Sequence, residues 1–188
     1  MEESEEKIVK CSYIPSRKTL KVNKMVEGQE PVVIEKTNVE KGFELEELIF
    51  NASLKLPGLV HSYRENDIKK HFAEPSLNGV DHWIQVGNTH ILLQDKWKES
   101  HNQQEVSQFL TCAMRIQERL GSELTGGYGG GTRPPHLIWA SKRKPTSNSL
   151  KMLKERGVHM IMNDVSTEEL AKTVVKKIME MVSEDIMG

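Results

Sequence analysis

Asp81, Gln94 and Lys96 are the residues of this 188-residue chain whose types and spacing could perform a reaction. Gln94 follows Asp81 by thirteen positions, and Lys96 comes two further on. Side chains alternate across an extended strand, so Gln94 and Lys96 share one face. The β-type runs Gly79–Val86 and Thr89–Trp97 meet at Gly87-Asn88, the pattern of a tight hairpin. Folding about that pair sets residues whose numbers sum to about 175 opposite one another, which places Asp81 against Gln94. A carboxylate, an amide oxygen and an ammonium then gather on one patch. Such a patch suits phosphodiester hydrolysis. Hard oxygen ligands hold Mg²⁺ or Mn²⁺, the metal acidifies a bound water, and the ammonium steadies the developing charge. A register slip of one residue would put Asp95 beside Asp81 and turn Lys96 away. The unslipped pairing is preferred because it unites Gln94 with Lys96, and it requires Asp95 to be exposed or paired.

The elements around this hairpin must position it. From Gly42 to Leu56 the apolar residues Leu45, Leu48, Ile49, Ala52 and Leu56 recur at helical spacing, and Pro57-Gly58 ends the helix. A short strand falls near Val60–Tyr63, within an otherwise mixed stretch over 59–77. A second long helix runs from Asn102 to Leu120, with Gly121 as its stop. His136–Ala140 is a short buried strand, Ser147–Arg156 a helix ending at Gly157, and Val158–Met162 another strand. Asp164 or Ser166 caps a last helix over Thr167–Val182. Strands that first meander and then alternate with helices imply an α/β mixed central sheet flanked by helices. Ahead of residue 38, residues 1–37 read as an acidic tail and a β-hairpin arm, so the main domain spans 38–188.

Taken together, Gly79-Val-Asp81, the thirteen-residue step and Leu-Leu-Gln94-Asp-Lys96-Trp resemble the signature of the PD-(D/E)XK nuclease superfamily. The closer likeness is to its Mrr-like branch, in which Gln often replaces the middle acid. Gly42-Phe-Glu44 resembles that family's helical Glu motif, and the likeness covers about residues 40–165. The resemblance implies a restriction-endonuclease-like fold with an αβββαβ core. It also implies Mg²⁺-dependent cleavage of DNA, of restriction, repair or recombination type, leaving a 5′-phosphate and a 3′-hydroxyl. By position, Asp81 becomes the principal metal ligand, Gln94 a second oxygen ligand, and Lys96 the residue that handles the attacking water. Glu44 contributes from the first helix, in competition with Glu46 and with Glu47 as the reserve. Two departures from the family pattern stand out: Gln94 is neutral, and polar Asp95 occupies a place usually apolar. They support an alternative in which the domain is catalytically silent and serves as a nucleic-acid-binding or assembly subunit.

Charge leaves the partner open. The formal net charge is −1, yet residues 41–160 carry 16 basic and 13 acidic side chains. Lys98, Arg133 and the run Lys142-Arg143-Lys144 are the candidate contacts to DNA phosphates. The arm suits a protein partner or a second copy of the chain. No run is apolar enough to span a membrane, the acidic N-terminus is no secretory signal, and two cysteines cannot staple a secreted scaffold. An intracellular protein, cytoplasmic or nuclear, is therefore expected. The Gly-rich stretch 125–132 lacks the order of a phosphate-binding loop and reads as a connector. His82 and His101 read as structural or surface residues, and the three tryptophans as core.

Overall fold

The computed structural model describes residues 36–124 and 133–187, so the N-terminal arm and the Gly-rich stretch lie outside the described residues. Ten elements follow in order: α1 (Asn38–Ser53), β1 (Val60–Arg64), α2 (Glu65–His71), β2 (His82–Val86), β3 (Thr89–Lys96), α3 (Gln103–Leu124), β4 (His136–Ser141), α4 (Ser147–Glu155), β5 (His159–Met162) and α5 (Thr167–Met187). The five strands form one open mixed sheet in the order β1-β2-β3-β4-β5. β1, β2 and β3 pair antiparallel; β3, β4 and β5 pair parallel.

Local chemistry explains the boundaries. Thr37 caps α1 in a reciprocal box with Glu40, which satisfies the first free N–H groups of the helix. Gly87, at φ +58°, supplies the left-handed turn that joins β2 to β3. Ser166 accepts the Glu169 N–H at the start of α5, so Ser166 is the cap, whereas Asp164 pairs with Arg143. Three expectations change. α2 appears inside the mixed stretch; it is only seven residues long and buries Ile68 alone, too little to show a period. α3 runs through Gly121 to Leu124, since Gly121 lacks the positive φ of a helix stop. α5 extends past Val182 to Met187.

Two cores sandwich the sheet. On one face Leu45 and Ile49 of α1 and Leu170, Val174 and Ile178 of α5 pack on Ile84, Ile91, Leu93 and Ile138. On the other, Phe109 and Ile116 of α3, with Ile68 and Leu153, pack on Trp83, Leu92 and Trp139. Trp83, Trp97 and Trp139 are all buried, as the sequence implies. Among the described residues, no helix is long and apolar enough to cross a membrane.

Candidate metal centre

The hairpin pairs as the turn requires. His82 lies opposite Leu93 and Val86 opposite Thr89, so the register is the unslipped one. Asp81 stands one residue before β2, where its N–H donates to the Leu93 carbonyl at 2.9 Å. Gly79 makes this entry possible. At φ +107° it follows a path other residues avoid, and a side chain there would meet the Gln108 and Phe109 backbone at 3.1 Å.

Three consecutive residues of β3 converge on Asp81. Its Oδ2 accepts from the Gln94 amide, from the Asp95 N–H at 3.0 Å and from the Lys96 ammonium at 3.1 Å. The sequence-predicted trio is thus in contact. Gln94 offers Asp81 its nitrogen rather than its oxygen, so its part here is to clamp the acid.

Asp95 projects to the opposite, α1-facing side of the sheet and is sealed there, 3 % exposed. It is paired: His82 Nε2 lies 2.9 Å from its Oδ2. From α1, Glu46 completes the group. One oxygen each from Glu46, Asp81 and Asp95 lies within 4.8 Å of the other two. Glu46 and Asp95 are therefore the site residues that the motif spacing did not single out. The helical residue named from the family pattern is displaced. Glu44 instead pairs with Lys36 and accepts from Thr167 at 3.0 Å, and Glu47 pairs with Arg64. Each helical residue advances about 100°, so Glu44 and Glu46 lie on opposite flanks of buried Leu45. The flank bearing Glu46 faces the mouth of the hairpin.

Like charges crowd this pocket. Burial, then Asp95 and Asp81, pushes the Glu46 carboxyl up to about 7. Burial, then Asp95, pushes Asp81 up to about 6, against the opposing pull of Lys96 and His82. Burial alone would lower the Lys96 ammonium, but Asp81, Asp95 and Glu46 hold it above its ordinary range. Lys96 therefore stays cationic at neutral pH. Three carboxylates face one ammonium. Hard oxygen donors with surplus negative charge fit a divalent cation such as Mg²⁺, Mn²⁺ or Ca²⁺, and disfavour soft metals. The site lies at the carboxyl ends of parallel strands β3 and β4, where open α/β sheets bind ligands.

The candidate phosphate contacts divide. Lys98 pairs with Glu105, Lys142 with Glu99, and Arg143 with Glu99 and Asp164. These sit beyond β3 and β4 at the site end but face acids; Lys144 is exposed there. Arg133 is elsewhere. It bonds Asp185 at 3.1 Å, at the far end of the sheet by the hairpin turn, because the chain re-enters there to start β4. A broad cleft, about 1280 Å³, also opens at that far end, lined by Leu59, Val86, His90, Met179 and Ile186 among others.

No family model, no curated protein and no solved structure matches the chain.

Proposed function

We propose that this domain is a divalent-metal-dependent nuclease that hydrolyses DNA phosphodiester bonds, built on a restriction-endonuclease-like core. The observation that carries this reading is Asp81, bonded to Lys96 at 3.1 Å and within ligand reach of Glu46 and Asp95. The order α1-β1-β2-β3-α3-β4, with short α2 inserted, supports the αβββαβ core that the sequence motif implies.

Glu46, Asp81 and Asp95 would hold the cation. Bound Mg²⁺ or Mn²⁺ would neutralise phosphate charge and acidify a coordinated water. Asp81 is the central ligand because it bridges the two sides of β3. Gln94 and the Asp95 N–H orient it, which limits the reorganisation needed when substrate arrives. Lys96 is cationic and 27 % exposed, so its ammonium can reach a phosphate oxygen and stabilise charge that grows in the transition state. Buried Leu92 and Trp97 brace β3 on either side of these groups and fix the strand that carries them. Cleavage leaves a 5′-phosphate and a 3′-hydroxyl on this reading.

A second reading is a catalytically silent subunit that binds nucleic acid or a protein. It is favoured by the basic side chains Lys98, Lys142 and Arg143 at the site end, each already paired with an acid of this chain. One experiment separates the two. Purified protein is incubated with duplex, branched and single-stranded DNA in EDTA, Mg²⁺ or Mn²⁺. Metal-dependent cutting that Asp81→Ala and Lys96→Ala both remove supports the nuclease. Absence of cutting on every substrate overturns it, and Mn²⁺ binding without cutting leaves the silent metalloprotein.

A further inference from the structure

Of the three clustered carboxylates, Asp95 is the one gripped from behind by a buried ring. Its Oδ2 meets His82 Nε2 at 2.9 Å, and the two side chains are 2 % and 1 % exposed. A carboxylate can only accept, so Nε2 carries a proton and donates it. That bond fixes the tautomer and stops rotation of the carboxylate, which sets the direction in which Asp95 offers its oxygen. The other ring nitrogen, Nδ1, is buried and meets no hydrogen-bond partner among the described residues. An apolar side chain would fill this position in the sheet at less cost. The core-facing neighbours on the same strand, Ile84 and Val86, are both apolar.

We propose that His82 is a positioning residue: it aims Asp95 at a divalent cation held with Glu46 and Asp81, and touches neither substrate nor metal. The role rests on the metal reading above. Outer partners of metal-ligating groups typically contribute about 10- to 100-fold in affinity. His82 earns that range because its bond to Asp95 is fully sealed from water, where no solvent molecule can replace it.

The test is calorimetric titration of Mn²⁺ into the full chain and three variants, with folding checked by circular dichroism in EDTA. His82→Leu fills the space but donates nothing, and Mn²⁺ affinity falls about 10- to 100-fold. His82→Gln carries an amide nitrogen at about the reach of Nε2 and returns affinity to within a few-fold of wild type. His82→Asn places its nitrogen near the Nδ1 position, falls short of Asp95 and binds as weakly as His82→Leu. Should His82→Leu fail to fold, the Gln and Asn pair still decides the matter. A folded His82→Leu that binds Mn²⁺ like wild type overturns the role, as do Gln and Asn variants that bind alike. Wild type that binds no Mn²⁺ overturns the metal reading itself, and the positioning role with it.

Discussion

The β2–β3 hairpin meets a buried carboxylate at each end, and the two are treated in opposite ways. At the turn, Asp185 of α5 accepts from the Thr89 hydroxyl at 2.8 Å, from Arg133 at 3.1 Å and from His136 at 3.1 Å. At the open end, Asp81 shares its surroundings with Glu46 and Asp95, and among the described residues only Lys96 brings a fixed positive charge into direct contact. The two side chains expose similar fractions of their own surface, 16 % and 11 %. Burial alone would raise Asp185, yet its Thr89, His136 and Arg133 donors hold it below the usual carboxylate range. Asp81 instead rises to about 6. Burial is the first influence on both carboxyls and weighs far more heavily on Asp81 than on Asp185. The balance of donors completes the contrast: Asp185 is a finished clamp tying α5 to the sheet, whereas the open end keeps negative charge that a cation would settle.

The largest effect that sharpens this contrast is expected from Asp81→Ala. It removes the acid on which Gln94, Asp95 and Lys96 converge. Mn²⁺ binding should fall below detection and cutting should drop by about 10²- to 10³-fold or more. Asp185→Ala is the matched control at the turn. It should leave Mn²⁺ affinity unchanged but lower the urea unfolding free energy by about 1–3 kcal/mol, because three donors lose a buried acceptor. Equal loss of metal binding in both variants would erase the distinction between the two ends.

The two acids of α1 give a smaller and more local contrast. Glu46→Gln should weaken Mn²⁺ binding about 10-fold, since one of the three carboxyl groups proposed to hold the cation becomes a neutral amide. Glu44→Gln should change it by less than about 2-fold, since Glu44 is engaged with Lys36 and Thr167. Calorimetry on the two side by side reads the difference. The reverse ranking would restore the helical acid that the sequence motif favours.

That ranking marks where the sequence ceases to be informative. The hairpin is legible because alternation and the Gly87-Asn88 turn fix its register, and the register alone brings Asp81 to Gln94 and Lys96. A helix gives less. Its period identifies Leu45 and Ile49 as the buried stripe but leaves the two flanks equivalent, so nothing local chooses Glu46 over Glu44. The choice is made by how α1 lies on the sheet, which depends on contacts distant in sequence. Asp95 did leave a trace. A charged residue in the inward phase of a strand needs a partner, and His82 lies on the same face of the neighbouring strand. Arg133 left none, because it follows the Gly-rich stretch and no periodicity places it.

The smallest predicted effect concerns pH, and here the two ends should differ in sign. Glu46 and Asp81 ordinarily titrate near 4.5 and 3.8, but in the fold they rise to about 7 and about 6. Between those limits the folded protein binds more protons than the unfolded chain, so their contribution to stability declines as pH rises and goes on declining through about 7, where Glu46 titrates in the fold. Asp185 does the reverse: its contribution is complete above its ordinary 3.8 and is lost only as pH falls further into acid. From pH 5 to 7.5, therefore, only the open end should vary among these acids. His90, His101 and His159 are pulled below their ordinary 6.5 by burial and gain stability with rising pH, so the raw wild-type curve mixes opposing slopes. The difference between wild type and Glu46→Gln cancels those histidines and isolates the carboxyl. In EDTA the variant's urea midpoint should overtake that of wild type as pH climbs from 5 to 7.5, because the amide never acquires the charge that Asp81 and Asp95 repel. Saturating Mn²⁺ at pH 7.5 should reverse the order, since the same concentration of Mn²⁺ stabilises the protein that binds it more tightly by more. A pH-independent difference in EDTA, or an order that Mn²⁺ leaves untouched, would show that the charge at Glu46 is already compensated from within the protein, as it is at Asp185.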